Sequence, residues 1–178
     1  MPVIKRRPFL AKNNPVVSAR KSALRVPWYV MGKTHTLTAP QMEKFVMRVS
    51  RNPKKYEKEI LIILGSKSEY VVEGALQTLQ KFGKKYASRI AEFILDPREN
   101  VQIQALASTA YLKNSAAIPL MKKSMVAKSS SAYAKALSLK ILVETFGVID
   151  PQIRRIAPNV LKTNPYLDMT VVKKKLGL

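Results

Sequence analysis

From residue 40 onward, apolar residues recur at intervals of three and four positions, which is the spacing of one face of an α-helix. Sustained alternation of apolar and polar residues, the pattern of a half-buried strand, does not occur in that part of the sequence. The pattern predicts about nine helices with short connections. They cover residues 40–51, 54–64, 68–82, 85–95, 101–113, 116–126, 132–146, 151–161 and 165–175. The fold class predicted is all-α.

Capping and helix-breaking residues agree with these limits. Thr38 is suited to the N-cap of the first helix, and Pro40 to its first turn. Asn-Pro at 52–53 and Asp-Pro at 96–97 interrupt the apolar pattern, and Gly83 is placed to end a helix. The helix over 68–82 is expected to bury one apolar face. Its inward residues are Val71, Val72, Ala75, Leu76, Leu79 and Phe82.

The apolar positions also repeat along the chain. Val71, Ala75, Leu76 and Phe82 recur thirty residues later as Val101, Ala105, Leu106 and Leu112. Leu79, Phe82 and Gly83 recur after sixty-four residues as Val143, Phe146 and Gly147. A period of about 30–34 residues with two helices per period is typical of an α-solenoid, in which each helix pair covers the apolar face of the previous pair.

One stretch carries a resemblance to a known repeat. Residues 96–107 are Asp-Pro-Arg-Glu-Asn-Val-Gln-Ile-Gln-Ala-Leu-Ala, and residues 116–120 are Ala-Ala-Ile-Pro-Leu. This segment resembles a HEAT-like repeat, although Gln102 stands where that pattern usually has arginine. The resemblance covers about residues 54–163 and implies a short HEAT-like α-solenoid over residues 40–178. It implies architecture and leaves function open, because such stacks serve many partners.

Charge is the second strong signal. The first acidic residue is Glu43, and eight lysines and arginines precede it together with five prolines. Residues 1–39 are therefore predicted to form a basic, extended and irregular arm that resembles the tails of ribosomal proteins. The whole chain has a formal net charge of +21. Such an excess repels itself in the free protein and indicates a polyanionic partner, most commonly nucleic acid.

Basic clusters continue along the helical body, and no acidic residue lies between Glu99 and Glu144. A solvated surface explains any single pair equally well, but it does not explain the whole set. Trp28 can stack on a base or, alternatively, anchor the arm on the helical body. The candidate RNA-binding residues are Lys5, Arg6, Arg7, Lys12, Arg20, Lys21, Arg25, Trp28, Lys33, Lys54, Lys55, Lys84, Lys85, Lys122, Lys123, Arg154, Arg155, Lys173, Lys174 and Lys175.

Residues suited to catalysis are few. The chain has no cysteine, one histidine (His35) and no glycine-rich phosphate loop, so the sequence predicts neither an enzyme nor a metal or cofactor site. A HEAT-like alkylpurine DNA glycosylase would need an aspartate flanked by aromatic residues in a cleft. Asp96 and Asp150 instead precede prolines, and Asp168 lies far from the only tryptophan.

The longest apolar run, residues 60–64, is too short to span a membrane.

These observations predict a non-catalytic RNA-binding structural component of a ribonucleoprotein. Its expected partners are rRNA and neighbouring ribosomal proteins. The arm has the composition of a mitochondrial presequence, so a mitochondrial ribosome is the expected location and a cytoplasmic ribosome the alternative. Two other functions stay open: a HEAT-like scaffold for an acidic protein, and a DNA-binding HEAT-like protein.

Four tyrosines are expected in the core or at an interface: Tyr56, Tyr86, Tyr111 and Tyr133.

Overall fold

The structure is a computed structural model that describes residues 25–30, 33–38, 48, 51–164 and 167–178. The chain divides into two compact units, Met1–Thr78 and Leu79–Leu178. Every regular element among the described residues from 51 onward is helical, which confirms the all-α prediction for that part of the body. The predicted boundary between an arm and a helical domain at residue 39 stays a prediction.

A β-hairpin lies within the predicted arm. Strand β1 (Arg25–Val30) pairs with strand β2 (Lys33–Thr38) in antiparallel register, so that Trp28 is opposite His35. For residues 25–30 and 33–38 these strands correct the prediction of irregular structure, and the rest of the predicted arm lies outside the described residues. The physical reason is composition: the two segments are rich in the β-branched and aromatic residues that strands favour, and only two residues separate them.

In the first unit, helix α1 (Glu57–Ile63) follows a 3-10 turn, Pro53–Tyr56. Helix α2 (Glu69–Gln80) comes next and crosses the unit boundary. The inward residues predicted for α2 are buried, except that Phe82, just beyond the helix, is half-buried. Of the helix predicted over 40–51, Arg48 and Arg51 are helical, and the other residues lie outside the described part of the chain.

The described residues of the second unit form six further helices. They are α3 (Ala87–Ala91), α4 (Glu99–Tyr111), α5 (Ile118–Val126), α6 (Ala132–Lys140), α7 (Pro151–Thr163) and α8 (Thr170–Leu176). Helix α3 lies between two 3-10 turns, Gly83–Tyr86 and Glu92–Leu95. A third 3-10 turn, Ser115–Ala117, precedes α5. The helix predicted over 132–146 is confirmed in extent, because α6 continues as a π-helical turn, Ile141–Thr145. One predicted limit is wrong. The last helix begins at Thr170 rather than at 165, because the Asp168 carboxylate accepts the Thr170 N–H at 3.0 Å.

Helices of the second unit pack against their sequence neighbours and against the helix after next. Helix α4 contacts α3 and α6, and α5 contacts α6 and α7. The core between them is formed by fully buried side chains from successive helices, among them Ile90, Leu106, Met121, Leu139 and Ile153. Burial of these side chains is the main stabilising contribution, because each removes a large apolar area from water.

Helix ends show the same repetition as the apolar residues. Gly83 and Gly147 have φ of +65° and +67°, the left-handed conformation that ends a helix. Lys113 occupies the corresponding position after α4 with φ of +50°, and there the Asn114 N–H donates to the Thr109 carbonyl at 3.1 Å. Matched helix ends are what a repeat of 30–34 residues predicts. The arrangement of the helix pairs as a solenoid stays a prediction.

Candidate nucleic-acid interface

Two basic turns share one sequence and one conformation. Residues 54–56 and 84–86 are both Lys-Lys-Tyr, and both lie in 3-10 turns that precede a short helix. Tyr56 and Tyr86 each have φ of −113°. In each turn the second lysine lies over the tyrosine ring, with Nζ 5.6 Å and 5.2 Å from the centroid. A cation–π contact holds that lysine, while both lysines of each turn stay exposed.

Helices α5 and α7 carry basic pairs at matching positions. Met121 and Ile153 are fully buried, and each is followed by two basic residues, Lys-Lys at 122–123 and Arg-Arg at 154–155. Four residues after Met121 and Ile153, Met125 and Ala157 are also buried. The two helices therefore turn the same face towards the core, and the basic pairs leave it at the same point of the helical turn.

The two members of each basic pair have different surroundings. Lys122 is half-buried and forms an ion pair with Asp150, the N-cap residue of α7. Arg154 donates from Nη1 to the Leu176 carbonyl at 2.9 Å, at the end of α8. A cation there complements the negative end of the helix dipole. Lys123 and Arg155 are exposed and have no hydrogen-bond or ion-pair partner among the residues that the structure describes.

The C-terminal lysines are exposed, and one of them is held by the backbone. Lys175 donates from Nζ to the Val143 carbonyl at 3.2 Å, which ties α8 to the π-helical turn after α6. Lys173 and Lys174 lie in the last turn of α8 and face solvent. The three lysines are consecutive in the sequence, but Lys175 is bound to the backbone, whereas Lys173 and Lys174 face solvent. The basic pairs on α5 and α7 show the same difference between neighbouring cations.

The three aspartates serve the starts of helices. The Asp150 carboxylate accepts hydrogen bonds from Lys122 and from the Ile153 N–H, and these lower its pKa. Burial acts to raise the pKa of Asp96, but hydrogen bonds from the Arg98 side chain and N–H prevail, so that this pKa is also lowered. The Thr170 N–H lowers the pKa of Asp168. Each carboxylate thus has a structural role that stabilises its ionised form.

Gln102, the departure from the HEAT-like pattern, lies in a buried polar cluster. Its side chain is 1% exposed, and Nε2 lies 2.6 Å from the Ile94 carbonyl and 2.8 Å from Ser130 Oγ. Ser124 Oγ is 3.3 Å from the same nitrogen and 3.3 Å from Ser138 Oγ. The cluster joins α4, α5 and α6. The sequence signal for it was a polar residue on the buried face of α4.

The structure places the four tyrosines in two different surroundings. Tyr111 is 66% exposed and Tyr133 is 37% exposed, so neither is buried among the described residues, and a place at an interface stays a prediction for both. The core face of α4 is already occupied by smaller side chains, including Ala105 and Leu106, and Tyr111 follows outside that face. Tyr56 and Tyr86 are half-buried beneath the lysines of the two basic turns.

The predicted interface residues fall in three parts of the chain. Lys5, Arg6, Arg7, Lys12, Arg20 and Lys21 lie outside the described residues. Arg25, Trp28 and Lys33 lie in the hairpin, where the backbone is described. The remaining candidates are in the helical body, and all except Lys122 are exposed.

Across the described part of the chain, no helix combines the length and the apolar character that a bilayer crossing requires. The same residues contain no group of three or more His, Asp or Glu side chains close enough to hold a metal ion. The chain matches no protein-family model, no curated protein and no solved structure. Any functional proposal therefore depends on the residues and contacts described above.

Proposed function

We propose that this protein is a non-catalytic RNA-binding component of a ribonucleoprotein, with ribosomal RNA as its ligand and a mitochondrial ribosome as its setting. In this proposal the helical body is a HEAT-like stack that carries basic residues on repeated positions. One observation supports it above all others: the positive charge of the second unit is not balanced within the chain. Residues 99–178 contain twelve lysines and arginines and four acidic residues.

The acidic residues of this region are largely engaged already. Glu144 pairs with Lys140, and Asp150 pairs with Lys122. Asp168 caps the start of α8 through the Thr170 N–H. The exposed cations that remain repel one another, and this cost is removed when phosphates neutralise them.

RNA suits these features better than an acidic protein does. The basic residues are spread over many helix starts and ends along the chain, which suits a long polyanion. Each Lys-Lys-Tyr turn also places an aromatic ring beside a lysine ammonium group. Tyrosine rings can stack on unpaired bases while lysines contact phosphates. These contacts would give strong binding with modest sequence preference.

The first test is salt-dependent binding of a structured RNA by the intact protein. About six to ten phosphate contacts predict a fall in affinity of roughly a thousandfold or more between about 50 and 200 mM salt. Fluorescence anisotropy with labelled rRNA fragments measures it, with duplex DNA and polyglutamate as competitors. Absence of salt-sensitive RNA binding would overturn the proposal. Stronger competition by DNA or polyglutamate than by RNA would favour the corresponding alternative function.

A second test concerns the arm. Replacing Lys5, Arg6, Arg7, Lys12, Arg20 and Lys21 by glutamine keeps the chain length and leaves the hairpin sequence intact. We expect a loss of RNA affinity of at least about tenfold, because each phosphate contact contributes to counterion release. The far-ultraviolet circular dichroism should stay that of the original protein. Unchanged affinity would show that the helical body makes the principal contacts.

The setting is tested by sedimentation of the tagged protein from lysate, with and without ribonuclease. Co-migration with a ribosomal subunit that is lost after ribonuclease treatment is the expected result. Co-migration with another large particle would contradict the ribosomal assignment while leaving RNA binding in place. Mitochondrial and cytoplasmic fractions analysed separately decide between the two ribosomes.

A further inference from the structure

Helices α5 and α7 begin side by side. They pack against each other, and the Lys122–Asp150 ion pair joins the early part of α5 to the N-cap of α7. A lysine side chain in a helix leans towards the helix N-terminus, so Lys122 reaches back to the level at which α7 starts. Lys123 and Arg155, both in the second turn of their helices, therefore lie at the same level.

Lys123 and Arg155 also point away from the core. Each lies two positions after a fully buried residue, Met121 or Ile153, and so about 200° around the helix from it. Both side chains are exposed. Neither helix contains an acidic residue, and Asp150 is already occupied by Lys122 and by the Ile153 N–H. The charged side chains that these two helices contribute to this face are therefore all positive.

The partners of Lys122 and Arg154 give these two residues a different task. Lys122 is held by Asp150 and Arg154 by the Leu176 carbonyl, so each fixes a helix start or end beside the exposed pair. They link α5 to α7 and α7 to α8 and leave Lys123 and Arg155 exposed to solvent. The same division of roles occurs on both helices.

We propose that Lys123 and Arg155 form a two-point clamp for one phosphodiester backbone, with Lys122 and Arg154 as positioning residues. This inference rests on the proposed RNA-binding function and assigns its contact on the helical body. Packed helices have axes about 8–10 Å apart, which exceeds the step of about 3.4 Å by which phosphates of one strand advance along a DNA duplex. Two side chains at that separation reach different phosphates of the same strand.

The test compares two double substitutions with the same change of charge. In the first, Lys123→Glu is combined with Arg155→Glu. The control combines Lys128→Glu with Lys162→Glu, which alters exposed lysines near the far ends of the same two helices. Affinity for a structured rRNA fragment is measured by anisotropy across a salt series. Circular dichroism and thermal unfolding establish that both variants fold.

We expect the clamp variant to lose at least about tenfold in affinity and its salt slope to fall by about two, one per lost phosphate contact. The control should lose less than about threefold, through net charge alone. Equal losses in the two variants would overturn the clamp while leaving RNA binding intact. No binding by the unaltered protein would instead overturn the proposed function.

A second and milder pair of double substitutions is used if charge reversal disturbs folding. Lys123→Gln with Arg155→Gln removes both charges without introducing carboxylates, and Lys128→Gln with Lys162→Gln is its control. The same order of affinities is expected, with a smaller difference between the two. If the milder clamp variant binds RNA as well as its control does, the clamp is rejected.

Discussion

Lys123 and Ser124 are neighbours on α5, yet they belong to two regions with opposite character. Ser124 is fully buried and lies within hydrogen-bond distance of Gln102, Ser130 and Ser138. Lys123 is exposed and has no such partner among the described residues. In the buried cluster the chain satisfies its own polar atoms, whereas on the exposed face it leaves charges unmatched.

The difference follows from where water can reach. A buried polar atom without a partner costs about 1–3 kcal/mol, so folding selects residues that pair with one another. An exposed cation is solvated and needs no partner for the chain to fold. The buried cluster therefore concerns stability, whereas the exposed charges are free to contact a partner. Three substitutions test this contrast.

The largest expected effect is that of Gln102→Ala. It removes the donor shared by the Ile94 carbonyl and the serine hydroxyls and leaves a small cavity. We expect the free energy of unfolding to fall by about 2–3 kcal/mol, measured by urea denaturation. The control is Gln152→Ala, an exposed glutamine on α7, with a change below about 0.5 kcal/mol. Similar losses in both variants would contradict a stabilising role for the cluster.

Asp150→Asn tests a charge that is matched within the chain. Asparagine keeps the N-cap of α7 but removes the ion pair with Lys122, so we expect a loss of about 0.5–1 kcal/mol near neutral pH. The folded pKa of Asp150 lies below its usual value of 3.8, so its ionic contribution is complete above that value and disappears as pH falls through the lowered pKa.

The measurement for Asp150→Asn is urea denaturation at a series of pH values. The stability difference between the two proteins should shrink towards zero in strong acid, where the carboxyl group is protonated in both the folded and the unfolded state. A difference that persists unchanged in acid would show that the substitution acts through packing or capping instead of charge.

Thr109→Val should have the smallest effect and the opposite sign. Thr109 Oγ1 is the exception in the described interior, because it is buried without a hydrogen-bond partner. Valine has nearly the same shape and no hydroxyl, so we expect a gain of about 0.5 kcal/mol. The matched control is Thr78→Val, since Thr78 Oγ1 donates to the Gly74 carbonyl at 2.8 Å. If both substitutions destabilise the protein, the conclusion that Thr109 Oγ1 lacks a hydrogen-bond partner is wrong.

Local features were accessible from the sequence. The apolar period located α2, α4, α5 and α7 within a few residues, because helix formation and capping depend on residues three or four positions apart. Gly83 marked a helix end correctly, and Gly147, its repeat position, has the same left-handed conformation. Lys113 did not mark one, because a lysine in the left-handed conformation has no sequence signature. The hairpin is not evident from the sequence, because Pro27 and the cations Arg25 and Lys33 lie among its β-branched residues.

By itself, the sequence determined the helical class of the described body, the repeat of its buried positions and the excess of positive charge, since these follow from short-range spacing and composition. Only the tertiary structure decided which cation of each pair is engaged. Lys122 and Arg154 find partners twenty-eight and twenty-two residues further along the chain, at Asp150 and Leu176. Lys123 and Arg155 are left exposed because helix packing turns them outward, and no pattern of adjacent letters distinguishes them from the residues beside them.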